Sequence, residues 1–396
     1  MSRRSLLVFV AVAASLLAVT GVAGALFLGD GAPERPPSLR ALDLEPCDGL
    51  PDAAARDCFA RRFQAVLDGK DDPRPGVKAI SDLAWSEGGW LLTNCHVVMH
   101  TVGRTYARDE GVTLATLMDH LPLSNDPGCS AGFAHGMVTG VAPDIDSSRP
   151  AEAAGVCAKA GTRWQRYSCV HGFGHAFMRL YADQLEPALE LCTALGEDTA
   201  PDCAQGAYHD YWFAVVGADD ATLRERPITD PRRLCGSQPE QFVRPCWYRA
   251  FLETRPDGFQ VEAPEDLDDL CEDLDGLQRA GCITGAAVIG PSDPAAQLRI
   301  CAALEAPADA AACVRGTKVQ NLLDAPLDAY VRLIEGCDDF SAEARPACYR
   351  WLGKAITVVT DGRFARTGCP RLRSTEARRA CAAGARTAEE ALVTFS

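Results

Sequence analysis

The sequence predicts an all-α protein, a superhelix or closed toroid of about ten disulfide-bonded helical hairpins of about 36 residues each. Three observations support this prediction: cysteines recur with a regular period, a turn signal separates the cysteines of each pair, and strand-like alternation is sparse. The chain has 396 residues, of which 47% are hydrophobic, and this is enough for one large repeat array.

The first predicted element is a transmembrane helix over residues 1–29. Two arginines precede an uncharged, mostly apolar run that is long enough to cross a hydrocarbon core of roughly 30 Å. The positive flank predicts a signal-anchor with the rest of the chain outside the cytoplasm. The alternative is a signal peptide, cleaved at the small residues 23–25, which would give a secreted protein. Residues 30–46 are rich in glycine and proline and predict a flexible tether.

The 18 cysteines indicate an oxidising compartment. Sixteen of them form eight pairs whose members are 11 or 12 positions apart. The two cysteines of a zinc-binding pair usually lie two to four residues apart, so the longer spacing here predicts disulfides. The two single cysteines predict a ninth bond between neighbouring repeats, with thiol ligands or a redox pair as the alternative. The predicted bonds are Cys47–Cys58, Cys157–Cys169, Cys192–Cys203, Cys235–Cys246, Cys271–Cys282, Cys301–Cys313, Cys337–Cys348, Cys369–Cys381 and Cys95–Cys129.

The second cysteine of each pair, together with the two single cysteines, recurs every 31 to 43 residues, which is the length of a helix–turn–helix unit. A turn lies inside each pair: Pro307 ends one helix and Asp309 can cap the next, and Ser341 and Ser374 are further capping candidates. Each bond closes a loop of about 12 residues and stabilises by up to roughly 3 kcal/mol. The plan resembles disulfide-rich relatives of the tetratricopeptide repeat proteins, although their consensus residues are absent. The resemblance implies helical hairpins and no functional residue.

All seven histidines lie in one part of the chain, although the repeats continue to its C-terminus. Two segments, beginning at His96 and His171, read H-x-x-x-H-x-x-x-R-x-Y-A, and C-x-x-G-x-x-H motifs end at His135, His175 and His209. Residues four apart share a helix face, so each histidine pair points one way. If equivalent helices line the inside of a superhelix, six imidazoles converge. The candidate metal ligands are His96, His100, His135, His171, His175 and His209.

Imidazole ligands predict copper, zinc or iron. Three methionines close to the histidines would favour copper in an oxidising compartment, with core filling as their alternative role. These weaker candidates are Met99, Met137 and Met178. A b-type haem held by histidine is an alternative cofactor, and a metal-free pocket or purely structural histidines are alternatives to any metal. The residues that could line the pocket are Arg104, Arg179, Tyr106, Tyr181 and Asp210.

Together these features predict a membrane-anchored, extracytoplasmic protein with a His-rich metal-binding or catalytic pocket in residues 47–240 and plain helical repeats in 241–396. Whether it is an enzyme stays open. Lysine supplies only five of the 39 basic residues, a composition typical of a GC-rich bacterial source. The net charge of -15 excludes nucleic acid as a partner. The alternative function is an envelope scaffold that binds a protein, peptide or cell-wall ligand without metal.

Overall fold

A computed structural model describes most of the chain. The described residues are 44–123, 126, 128–182, 184–215, 228–254, 260–322 and 325–390. The predicted transmembrane helix over 1–29 lies outside them, as does the predicted tether over 30–46 except for its last three residues. None of the helices within the described ranges is both long enough and apolar enough to span a membrane.

The described residues form 19 α-helices and no strand. In chain order the helices are α1 Asp52–Leu67, α2 Arg74–Glu87, α3 Gly89–Asp109, α4 Leu117–His120, α5 Cys129–Gly140, α6 Pro150–Cys157, α7 Arg163–Leu180, α8 Leu185–Ala194, α9 Ala200–Val215, α10 Pro231–Gly236, α11 Glu240–Thr254, α12 Pro264–Leu270, α13 Gly276–Ala287, α14 Pro294–Ala302, α15 Pro307–Arg315, α16 Leu327–Glu335, α17 Arg345–Val359, α18 Arg363–Thr367 and α19 Thr375–Glu390. The prediction of an all-helical protein is therefore confirmed for this part of the chain.

Proline and short polar residues set many of the helix starts. Pro294 opens α14, where a missing N–H costs nothing, and the preceding Asp293 accepts hydrogen bonds from two backbone N–H groups at 3.1 and 3.2 Å. Ser374 caps α19 through a bond of 2.9 Å from the N–H of Ala377, as predicted. The predicted cap at Asp309 is wrong, because this residue lies inside the first turn of α15.

Nine disulfides join the helices, and they are the nine pairs that the cysteine spacing predicts. The eight short-range bonds join Cα atoms 5.4 to 5.8 Å apart. The ninth bond, Cys95–Cys129, connects α3 directly to α5. No cysteine in the described ranges is free. So many disulfides indicate that the protein folds and works outside the cytoplasm.

The second helix of each hairpin packs against the second helix of the next. This succession runs from α1 to α3 and α5, then through α7, α9, α11, α13, α15 and α17 to α19. Helix α17 also contacts α7, and the carboxylate of Asp361 accepts a hydrogen bond of 3.2 Å from Arg163 at the start of α7. The row of helices thus returns on itself between α7 and α17. The packing of α9 on α11 continues across the predicted division at 240, which stays a prediction.

Glycines of the C-x-x-G motif allow the helices that carry the histidines to approach each other closely. A Cβ atom on Gly132 of α5 would lie 2.1 Å from the carbonyl oxygen of His96 on α3. A Cβ atom on Gly206 of α9 would lie 2.0 Å from the carbonyl oxygen of His171 on α7. Any side chain at these positions would push the helices apart, so the motif sets the distance between them.

Candidate metal centre

Six of the seven histidines form one cluster where four helices meet. They are His96 and His100 on α3, His135 on α5, His171 and His175 on α7, and His209 on α9. The ring pairs in contact have centroids 4.4 to 6.1 Å apart. The seventh, His120, lies elsewhere, with its Nδ1 3.4 Å from the hydroxyl of Tyr106.

The spacing of four residues presents two imidazoles together on α3. The Nε2 atoms of His96 and His100 are 3.1 Å apart. Two nitrogens bound to one tetrahedral ion at 2.0 to 2.1 Å would be about 3.4 Å apart, so this pair already has the separation of a chelate. The disulfide at Cys95 ties the same turn of α3 to the start of α5. The pair is therefore held against the helix that carries His135.

The cluster is closed on one side and partly open on the other. His135, His171, His175 and His209 are buried, at 3%, 0%, 1% and 8% exposure, whereas the two histidines of α3 are only partly buried. A solute ion could therefore enter from the α3 side. Helix α5, which carries His135, has no charged side chain and is buried from Cys129 to Thr139.

Burial keeps most of these imidazoles neutral. It lowers the pKa of four of them well below the ordinary value, and neighbouring imidazoles lower it further: His100, His135, His171 and His209. For three members of this group, His135, His171 and His209, the nearby guanidinium of Arg249 adds to the effect. A neutral imidazole is the form that binds a metal ion, so the cluster needs little deprotonation before binding.

Two groups of three histidines could each surround one ion. In each group the ring nitrogens lie within 4.8 Å of one another: His96, His100 and His135 in the first, and His135, His171 and His175 in the second. His135 belongs to both groups, and both its ring nitrogens are buried without a hydrogen-bond partner. Because nitrogens around one ion would be about 3.4 Å apart, modest side-chain rotations would complete either set.

One carboxylate orients a histidine of the second group. The Oδ1 atom of Asp210 lies 2.7 Å from Nδ1 of His175, so Nδ1–H donates to the carboxylate and the lone pair is placed on Nε2. That Nε2 atom is buried and has no hydrogen-bond partner. A carboxylate that fixes the tautomer of a histidine is the usual support of a metal ligand. Asp210, predicted only as a pocket residue, therefore belongs to the site.

Helix α11 contributes two residues that sequence reasoning missed. Arg249 donates to Nε2 of His171 and to Oε1 of Gln205, both at 3.3 Å, and to Glu253 at 3.2 Å. Glu253 also lies 3.4 Å from Nε2 of His209. A signal was present: Arg249 stands three residues after Cys246, where six other repeats have glycine. The site thus draws on the predicted plain half of the chain.

The three candidate methionines lie in the hydrophobic core. Met99, Met137 and Met178 are all fully buried, at 0% exposure, among apolar side chains. Methionine commonly fills such irregular space because its side chain is flexible. Their role as thioether ligands stays a prediction.

The remaining pocket candidates lie at the ends of the two copied segments. The hydroxyl of Tyr106 donates to the carbonyl of Lys70 at 2.6 Å, away from the six clustered rings. Tyr181 follows the last residue of α7 and is partly buried. Arg104 on α3 and Arg179 in the last turn of α7 are also partly buried. Of the five candidates, Asp210 joins the cluster through its hydrogen bond with His175.

Comparison of the chain with protein-family models, with curated proteins and with solved structures finds no match in any of the three. The described triads offer nitrogen donors only, supported by one acidic residue, and this donor set suits first-row transition metals rather than calcium or magnesium.

Proposed function

We propose that this is an extracytoplasmic metal-binding protein whose buried histidine cluster holds a first-row transition-metal ion. The observation that supports it is the buried triad of His135, His171 and His175, with ring nitrogens within 4.8 Å of one another. Buried polar atoms are normally hydrogen-bonded. Here both nitrogens of His135 and Nε2 of His175 lack hydrogen-bond partners, and a bound ion would satisfy Nε2 of His175 and one nitrogen of His135.

Copper and zinc fit the donor set better than iron. Non-haem iron sites typically combine two histidines with a carboxylate ligand, whereas copper and zinc accept sets of imidazoles. The carboxylate of Asp210 is already engaged with Nδ1 of His175 and acts as a support. A b-type haem fits poorly, because rings with centroids 4.4 to 6.1 Å apart leave no space for a macrocycle between them.

We also propose that the protein stays attached to the membrane through residues 1–29. Their charge pattern and apolar length support an anchor, and the disulfides support an extracytoplasmic location for the rest. Cell fractionation with mass determination of the mature protein tests this. An intact N-terminus in the membrane fraction is expected; a soluble protein that begins near residue 25 would mean that the signal peptide is cleaved.

Metal analysis of exported, tag-free protein tests the main proposal. We expect at least one copper or zinc ion per chain, and loss of that ion in His135→Ala and His175→Ala. His120→Ala is the matched control, because this histidine lies outside the cluster, and it should retain the metal. A metal-free protein whose melting temperature does not respond to added Cu²⁺ or Zn²⁺ would contradict the proposed function.

A further inference from the structure

We propose that the cluster is a two-metal centre in which the imidazolate of His135 bridges two ions. One ion would be held by the α3 pair, His96 and His100, and the other by the α7 pair, His171 and His175. This inference rests on the proposed function, because it assigns a second ion to the same cluster.

The position of His135 between the two pairs supports the bridge. Its ring centroid is 5.1 and 5.3 Å from the rings of His96 and His100 on one helix, and 4.4 and 5.3 Å from those of His171 and His175 on another. Helix α5, which carries it, packs against both α3 and α7. His135 is the one residue shared by the two candidate ligand groups in the described part of the chain.

The unsatisfied nitrogens of His135 support the same conclusion. A buried structural histidine uses at least one nitrogen in a hydrogen bond, yet Nδ1 and Nε2 of His135 are both buried without a hydrogen-bond partner. His135 is 3% exposed, so water does not reach these atoms freely. Two metal ions, one at each nitrogen, would satisfy both atoms, whereas one ion would leave the other nitrogen without a partner.

The internal repeat gives each ion an equivalent chelating pair. The H-x-x-x-H segments on α3 and α7 are copies of one another 75 positions apart. Each pair has its two rings in contact, at 4.9 Å between His96 and His100 and 5.0 Å between His171 and His175. Two similar half-sites that face a common central residue are the arrangement that a shared ligand requires.

The proton balance of the bridge is simple. A neutral imidazole carries one N–H proton and one lone pair, so binding the first ion uses the lone pair. Binding the second ion displaces the N–H proton to solvent, and the resulting imidazolate carries one negative charge between two divalent cations. No oxidant or reductant is needed. The carboxylate of Asp210, which contacts His175, offsets part of the remaining positive charge, whereas that of Glu253, which contacts His209, is also paired with Arg249.

Titration of the metal-free, disulfide-bonded chain with Cu²⁺ alone tests the bridge. Native mass spectrometry should show two coppers per chain, and Zn²⁺ should reach the same stoichiometry. Electron paramagnetic resonance of the copper form should give well under one spin per bound copper at low temperature, because an imidazolate bridge couples the two ions. His135→Ala and His135→Gln should restore a full spin for every copper that remains, whereas His120→Ala should match the wild type.

The possible results separate this inference from the proposed function. If neither Cu²⁺ nor Zn²⁺ binds, the proposed function itself is wrong. If one ion binds per chain, or if two coppers give the full uncoupled signal, the metal site stands and the bridge is wrong. Coupling that persists in both His135 variants would show that another group connects the ions. The wild-type spectrum decides even if neither variant folds.

Discussion

At the scale of single residues, the support of a ligand can be tested apart from the ligand. Asp210→Asn keeps the size of the side chain and removes the charge that accepts from Nδ1 of His175. We expect metal affinity to fall by about 10- to 100-fold, which is the usual effect of losing such a support. Competition with a chelator measures this. Asp82→Asn, at an exposed ion pair with Lys78, should leave affinity unchanged, and an equal loss in both variants would contradict the role of Asp210.

The titration of the clustered imidazoles predicts how stability depends on pH. Burial lowers the folded-state pKa of His100, His135, His171 and His209, whereas an unfolded chain has ordinary values near 6.5. Below about pH 6.5 the unfolded state binds protons that the folded state does not, so stability falls as pH falls. Above that pH the four groups contribute no dependence.

Urea unfolding of the metal-free protein between pH 8 and pH 5 measures this effect. Each imidazole that stays neutral in the folded state can contribute up to about 1.4 kcal/mol per pH unit below 6.5. His135→Leu should reduce the dependence by one such contribution. A free energy of unfolding that does not change between pH 7 and pH 5 would mean that the imidazoles protonate within the folded protein.

The sequence predicted the members of the histidine cluster better than it predicted the residues that surround them. The recurrence of histidine at equivalent repeat positions predicted six residues that the structure brings together. Arg249 stands out in the sequence because it replaces a glycine of the repeat, but its partner could not be predicted, because His171 lies 78 positions away on a helix two hairpins earlier. The wrong cap at Asp309 has a similar cause: its carboxylate pairs with Arg279 at 2.9 Å, and this distant partner competes with the local backbone.

At the scale of helices, the closest contacts depend on glycine. In Gly206→Ala the new Cβ atom would lie 2.0 Å from the carbonyl oxygen of His171. We expect α9 to move away from α7, with a loss of about 1 to 3 kcal/mol or more and weaker metal binding. Gly155→Ala on α6, where a Cβ atom would meet nothing within 4 Å, should be neutral or slightly stabilising. Thermal unfolding and metal affinity should be measured for both variants. Similar values for the two variants would show that close approach at Gly206 does not limit the packing of α9 on α7.

Helix ends were harder to predict than helix faces. The two copied segments share the sequence H-x-x-x-H-x-x-x-R-x-Y-A, yet α3 continues past Tyr106 to Asp109, whereas α7 ends at Leu180. Ala182 then has a positive φ of 50°. The histidine faces coincide because they lie in the middle of both helices, where the backbone is regular. The ends differ because each packs against different neighbours, which the copied residues do not specify.

At the scale of the whole molecule, the cysteine period predicted the hairpins and their bonds but not the path of the row of helices. Contact of α17 with α7 depends on small rotations that add up over five successive hairpins. No local pattern encodes that sum. The packing of α9 on α11 and the contact of Arg249 with His171 cross the predicted boundary near 240. The sequence thus did not decide between a superhelix and a toroid. The spacing of the cysteines, in contrast, predicted every disulfide pair.

The disulfides should stabilise the whole chain but affect the metal site unequally. The double variant Cys95→Ala, Cys129→Ala opens a loop of 34 residues, the longest of the nine, and should cost about 4 kcal/mol in the chain-entropy model. It also frees the turn of α3 that precedes His96, so metal affinity should fall. The control, Cys369→Ala with Cys381→Ala, opens a loop of 12 residues far from the cluster along the row of helices, and should cost about 3 kcal/mol with metal affinity retained.

Urea unfolding and copper competition on both double variants separate global stabilisation from support of the site. If the disulfides act only on the unfolded chain, both variants lose stability and neither loses affinity once it is folded. If Cys95–Cys129 also positions α3 against α5, only the first variant binds copper more weakly under conditions where it is fully folded. Since the bond lies next to His96 and joins the helices that carry His100 and His135, we expect the second outcome. Equal copper affinity in the two variants would show that packing of α3 on α5, through Gly132, suffices to hold the imidazoles in place.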